Sequence, residues 1–137
     1  MSALDHGSVK GHLRTLLRLE GLTIFVASLS AYIHAGYPWK TFFILFLFPD
    51  ISFMGYLFGK TPGCITYNTF HSYTFPLVLG LISWHFLFSG IQCFILIWLA
   101  HIGFDRFLGY GLKYPQGARY THLGLINLGR KPHKKIK

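Results

Sequence analysis

Four long apolar runs constrain this chain more than anything else in it. They extend from about Leu16 to Gly36, Thr41 to Phe58, Cys64 to Trp84 and Phe86 to Leu108. Each is about 18–23 residues, enough to cross a hydrocarbon core of roughly 30 Å as an α-helix. None alternates as a barrel strand would, and a backbone in lipid must satisfy its own hydrogen bonds, so helices are the expected form. The sequence therefore predicts an all-α fold, an integral membrane four-helix bundle. Breaks fall at Gly36-Tyr37-Pro38, at Gly59-Lys60-Thr61-Pro62-Gly63 and near Ser89-Gly90. Pro49 and Pro76 lie inside the second and third runs and are expected to kink them. Pro49 is also placed to open a second half-helix.

Charge is scarce and unevenly placed. Charged residues make up 12% of the chain, about half the share of a soluble domain. That is too little to coat a soluble surface, while the 52% hydrophobic content excludes disorder. Two cysteines, Cys64 and Cys93, do not make a disulfide scaffold. Lys10, Arg14 and Arg18 precede or open the first run, Lys60 lies in the turn after the second, and Lys113, Arg119, Arg130, Lys131, Lys134, Lys135 and Lys137 follow the last. The positive-inside rule then places both termini in the cytoplasm. Ser28-Leu29-Ser30 has the small residues of a signal cleavage site, but a retained first span keeps both ends on the basic side. Residues 1–126 read as one membrane-helix domain that includes a basic amphipathic segment at 8–19, and residues 127–137 as a basic cytoplasmic tail. From Gly117 onward the chain is expected to pack poorly, except around Thr121-His122-Leu123-Gly124. The basic ends suit anionic lipid head groups and not nucleic acid.

The acidic residues are in the wrong places for a soluble protein. Of Asp5, Glu20, Asp50 and Asp105, the last three lie within or beside apolar runs. With four crossing helices, Glu20, Asp50, Asn68, His71, His101, Asp105 and Arg106 all fall within roughly 5–15 Å of the inner interface. The outer half holds chiefly His34, His85 and Gln92, too few for a proton or ion pathway. His101 and Asp105 share a helix face at i, i+4, as do Asn68 and His71 at i, i+3. Ionisable groups at such depth are costly and mark a functional site by default.

The chemistry expected of this site is acid–base: hydrolysis, isomerisation or cyclisation of a lipophilic small molecule by a small membrane enzyme. Asp50, His101, Asp105 and His71 are the candidate catalytic groups, and Glu20, Asn68, Tyr56, Tyr67 and Arg106 the candidate substrate-binding ones. Asp50, His71, His101 and Asp105 also form an N2O2 set suited to one divalent metal such as zinc or iron. No tight ligand motif supports that set and Arg106 stands beside it, so a site without a cofactor is slightly preferred at this level. Plainer readings compete. Glu20 pairs with Arg18 or Arg106, His101 donates to Asp105 as a satisfied pair, and His71 only packs helices. His122, in a loop, is a weaker candidate. A non-catalytic subunit of an oligomer or larger membrane complex would use His71 or His101 as a pigment or haem ligand.

The run HIGFDRFLGYGLKYP (His101 to Pro115), followed by THLG (Thr121 to Gly124), resembles the end of the domain-of-unknown-function-4260 family, small and mainly bacterial integral membrane proteins. RTLLRLEGL (Arg14 to Leu22), FPDISFMGYLFG (Phe48 to Gly59) and YNTFHSYTFPLVLG (Tyr67 to Gly80) fit the same family. The resemblance spans about residues 14–126. It implies several membrane helices, in a bacterial inner (cytoplasmic) membrane, and transfers no activity.

Overall fold

The computed structural model describes residues 8–86 and 89–126, so the basic tail at 127–137 lies outside the described residues. The chain is mostly helical. α1 (Gly11–His34) is followed by α2 (Trp39–Leu45), a 3-10 segment (Phe48–Phe58), α3 (Lys60–Phe70), α4 (Thr74–His85), a 3-10 turn (Ser89–Ile91) and α5 (Gln92–Leu108). Among the described residues, two stretches, Gly11–His34 and Trp39–Phe58, are long and apolar enough to cross a membrane.

Large apolar side chains are exposed on the outside, and several polar ones share the interior with the apolar core. Phe58, Trp84 and Leu57 are about four-fifths exposed (81%, 80% and 78%), while His71, His101, Arg106, Lys113 and Ser83 are buried.

α1 and α5 form the frame and run antiparallel. Arg18 Nε donates to Phe107 O at 2.7 Å, Phe25 meets Phe104 at 5.3 Å, and Cys93 Sγ lies 3.8 Å from Tyr32 Oη. The backbones touch where Gly21 faces Gly103: a Cβ on Gly103 would lie 2.7 Å from Gly21 O. Small residues at a crossing are how helices approach without help from water. Beyond it, buried Tyr32, Phe42, Ile97 and Ala100 knit α1, α2 and α5 together.

Both prolines act differently from the expected kinks. A proline lacks an N–H, which costs nothing in the first turn of a helix. Pro49 accordingly sits at the start of the 3-10 segment and Pro76 in the first turn of α4, and the breaks lie upstream, at Phe46-Leu47 and His71-Ser72-Tyr73. The second half-helix opened by Pro49 is present, but wound as 3-10. At about 2.0 Å per residue it reaches further than an α-helix of equal length.

The third apolar run is therefore two helices and not one. The carbonyls at the break are taken by side chains of α5: Trp98 Nε1 donates to Phe70 O at 2.6 Å, and Arg106 Nη2 to His71 O at 2.8 Å. α3 also begins earlier than the apolar run, at Lys60, so the expected five-residue turn shrinks to Gly59, whose φ of 123° suits glycine.

After α5, residues expected to pack poorly form a small antiparallel sheet, β1 (Lys113–Tyr114), β2 (Gly117–Thr121) and β3 (Gly124–Leu125). This sheet is an addition to the expected all-α fold. It is anchored from below: Asn68 Oδ1 accepts from Lys113 N at 2.7 Å, and Asn68 Nδ2 donates to Lys113 O at 2.8 Å.

Candidate metal centre

Three elements deliver four side chains to one point. Asp50 comes from the first turn of the 3-10 segment, His71 from the C-terminus of α3, and His101 and Asp105 from successive turns of α5. His71 Nε2 lies 3.2 Å from His101 Nε2, 3.4 Å from Asp50 Oδ1 and 3.5 Å from Asp105 Oδ2. His101 Nε2 lies 3.5 Å from Asp50 Oδ1 and 3.6 Å from Asp105 Oδ2. All the donor atoms fall within 4.8 Å of one another.

Four donors held about 2.0–2.1 Å from a central ion in a tetrahedron lie about 3.3–3.4 Å apart. Five of the six edges scatter around that length, and the sixth, between the carboxylate oxygens of Asp50 and Asp105, is wider, within 4.8 Å. The donor set also has the right charge, since two carboxylates and two neutral imidazoles balance a dication.

His71 is prepared for such a role by its surroundings. Its Nδ1 lies 3.0 Å from Tyr67 O. A carbonyl only accepts, so Nδ1 carries the proton and Nε2 presents a lone pair. The ring stacks on Tyr67 with centroids 3.8 Å apart and planes 11° from parallel. Imidazole ligands are oriented in this way by a carbonyl on the far nitrogen. His101 is held by the edge of Phe46, with centroids 5.3 Å apart, and its Nδ1 is buried without a partner among the described residues.

The other sequence candidates divide. Tyr67 touches the centre through its stack on His71. Arg106 is turned away from the four donors; its Nη1 donates to Tyr110 O and its Nη2 to His71 O, both at 2.8 Å. It therefore clamps the end of α3 to the loop after α5. Asn68 is committed to Lys113. Tyr56 lays its ring against Gly63 and buries a hydroxyl that has no partner among the described residues. Glu20 is exposed on α1 and stands outside the cluster; the cations once expected to pair with it, Arg18 and Arg106, cap carbonyls instead.

Residues 14–126 match the model of a family described as a domain of unknown function (DUF4260). The chain belongs to that family. No curated protein and no solved structure matches it. In this DUF4260 chain the run from His101 to Pro115 holds two of the four clustered residues and then the first strand of the cap, which is fastened to α3.

One residue of that cap, Lys113, escaped the sequence reading, and His122, a weaker candidate there, takes a structural place. Lys113 is buried, with Nζ 4.2 Å from the centroid of the Tyr67 ring and 2.9 Å from Ala118 O. Burial pushes its ammonium pKa down, and the Asp105 and Asp50 charges oppose that shift. His122 proves to be a fastener: its Nδ1 accepts from Leu112 N at 2.8 Å and its carbonyl from Val9 N at 2.7 Å. The signal was in the glycines. A Cβ on Gly111 would lie 2.7 Å from His122 Nδ1, so the Gly-Tyr-Gly run after α5 encodes the close seat of the THLG turn.

Proposed function

We propose that this protein is a small integral membrane enzyme that holds one divalent cation, zinc or iron, on Asp50, His71, His101 and Asp105. Its chemistry is acid–base work on a lipophilic substrate: hydrolysis, isomerisation or ring closure. The observation that carries this reading is the meeting of two Nε2 atoms 3.2 Å apart with two carboxylate oxygens, each 3.4–3.6 Å from both nitrogens.

Two arguments move the preference from a cofactor-free site to a metal site. Two carboxylates close together in poorly solvated surroundings repel each other, and a dication removes that cost. The objection from Arg106 also weakens, because its guanidinium is spent on two carbonyls. The ion, when bound, supplies Lewis acidity to a substrate oxygen. Tyr67 holds the ring of His71, and the buried faces of α5 exclude water.

The wider setting is a bundle with four crossings and both termini cytoplasmic, in a bacterial inner membrane. Its support is the apolar exterior and the gathering of basic residues at the end where α1 starts and α5 stops. α3 and α4, at 11 and 12 residues, together make one crossing. The basic end faces anionic head groups. Pigment ligation is the weaker alternative, since two Nε2 atoms 3.2 Å apart leave no space for a macrocycle between them.

The test uses detergent-purified protein and a bacterial lipid extract, with products followed by mass spectrometry. A product that requires metal, and that a His71→Ala His101→Ala variant does not form, supports the reading. A product profile unchanged by chelation and by the variant contradicts it.

A further inference from the structure

The four donors are not equivalent. Three belong to buried parts of the frame: the side chains of His71, His101 and Asp105 are 0%, 3% and 15% exposed, against 39% for Asp50. His71 is fixed three times over, by its Nδ1 contact with Tyr67 O, its stack on the Tyr67 ring and the Arg106 clamp on its carbonyl. His101 and Asp105 lie one turn apart on α5, packed directly against α1.

Asp50 has a different mounting. It sits in the first turn of an eleven-residue 3-10 segment, just after the break at Phe46-Leu47. Long 3-10 runs have poorer hydrogen-bond geometry than α-helices and mark places where the backbone can rearrange. The far end of the segment is pinned to α3, where Gly55 abuts Thr66 and the Tyr56 ring covers Gly63. At the near end the backbone is seated too, with Pro49 buried and Phe48 packed on Phe70, Phe94 and Trp98, so what sets Asp50 apart is its own half-exposed side chain, which can swing off the site by rotation about its side-chain bonds. Two imidazoles and one carboxylate are also a complete donor set for a reactive ion with a position left open.

We propose that His71, His101 and Asp105 form the fixed platform of the site and that Asp50 is its exchangeable arm, giving up its place to an oxygen-bearing group of the substrate that arrives from the exposed side. The incoming group is a carboxylate, phosphate ester or carbonyl on a lipophilic body, because only an oxygen donor replaces the carboxylate of Asp50 like for like. The assignment rests on the metal reading above and goes beyond it by naming which ligand yields and where the substrate enters.

The test compares Asp50→Ala and Asp50→Asn with Asp105→Ala, each purified in detergent and required to elute as the native chain does. Zinc affinity is measured by competition with a chromophoric chelator. The visible spectrum of the cobalt(II)-loaded protein is then titrated with azide. An exchangeable arm costs no more affinity than an outer-sphere partner, at most about 100-fold. Both Asp50 variants are therefore expected to keep zinc, and their cobalt spectra to respond to azide at concentrations at least about 10-fold lower than the native protein needs. Asp105→Ala is expected to lose the ion. If Asp50→Ala loses zinc as Asp105→Ala does, or keeps it with a spectrum blind to azide, the site is closed and the proposal is overturned. A native protein that takes up neither ion removes the metal reading itself, which is a different failure.

Discussion

His71 and His101 point their Nε2 atoms at each other across 3.2 Å. Two neutral imidazoles in that position either share one proton or share one ion. The carbonyl of Tyr67 holds the proton of His71 on Nδ1, so a proton shared between the two Nε2 atoms would have to come from His101. Two carboxylate oxygens complete the ring of donors around the gap. A cation between them satisfies every lone pair at once.

Arg106 should prove structural and not catalytic. It joins His71 O to Tyr110 O from a buried position, and hydrogen bonds to a charged group contribute about 1.5–3 kcal/mol each. Arg106→Met is expected to lower the thermal midpoint in detergent sharply. Arg106→Lys, which cannot span both carbonyls, should recover only part of the loss. Wild-type stability in both variants would contradict the clamp.

Asn68 tests the link between cap and helices. Asn68→Ala takes from the Lys113 N–H its side-chain acceptor in a buried place, at about 1–3 kcal/mol, and leaves the Lys113 carbonyl with only the weaker Cys64 thiol donor. Faster hydrogen exchange across Lys113–Thr121, with little change in α1, is the expected result. Exchange rates unchanged in the sheet would show that the cap is held elsewhere.

The His122 fastener makes the cap sensitive to acid. Burial, and then the Arg106 charge, push its pKa below the ordinary value of 6.5. A depressed folded value means the unfolded chain binds the proton first, so the stabilisation is complete above about 6.5 and is lost as pH falls through the folded value. Protonation removes the acceptor that Leu112 N uses. Exchange at Leu112 and Val9 should quicken as pH drops below 6.5, after correction for intrinsic rates. His122→Asn, with an acceptor that does not titrate, should flatten that dependence.

The crossing of α1 and α5 is the fourth test. Gly103→Val forces a side chain against Gly21 O and Phe25 N, each 2.7 Å from a Cβ at this position. Overpacking of this kind costs about 1–3 kcal/mol where neighbours can shift. Here the neighbours are backbone, so the upper end or beyond is expected, with loss of metal uptake as α5 moves. A variant that melts and binds as the native chain does would remove the crossing from the account.

Much of the cluster was legible before the fold was known. Asp50, His71, His101 and Asp105 stood out because ionisable groups in apolar runs need partners, and helical depth brought them level. The break at His71 was not legible. It depends on Trp98 and Arg106 taking carbonyls from another helix, which no local pattern records. Lys113 was read as an interface charge because its burial depends on Tyr67, Asn68 and Ala118, which are brought together only by folding. Glu20 shows the reverse error: depth along a helix says nothing about which face a residue occupies, and its face is outward.

The most direct measurement is the metal content of the native chain, purified in detergent without added metal or chelator and read by inductively coupled plasma mass spectrometry. The account predicts close to one equivalent of zinc or iron per chain, lost in a His71→Ala His101→Ala variant that still elutes as a folded species. Native protein that is metal-free as purified, and that takes up neither ion when both are supplied, would contradict it.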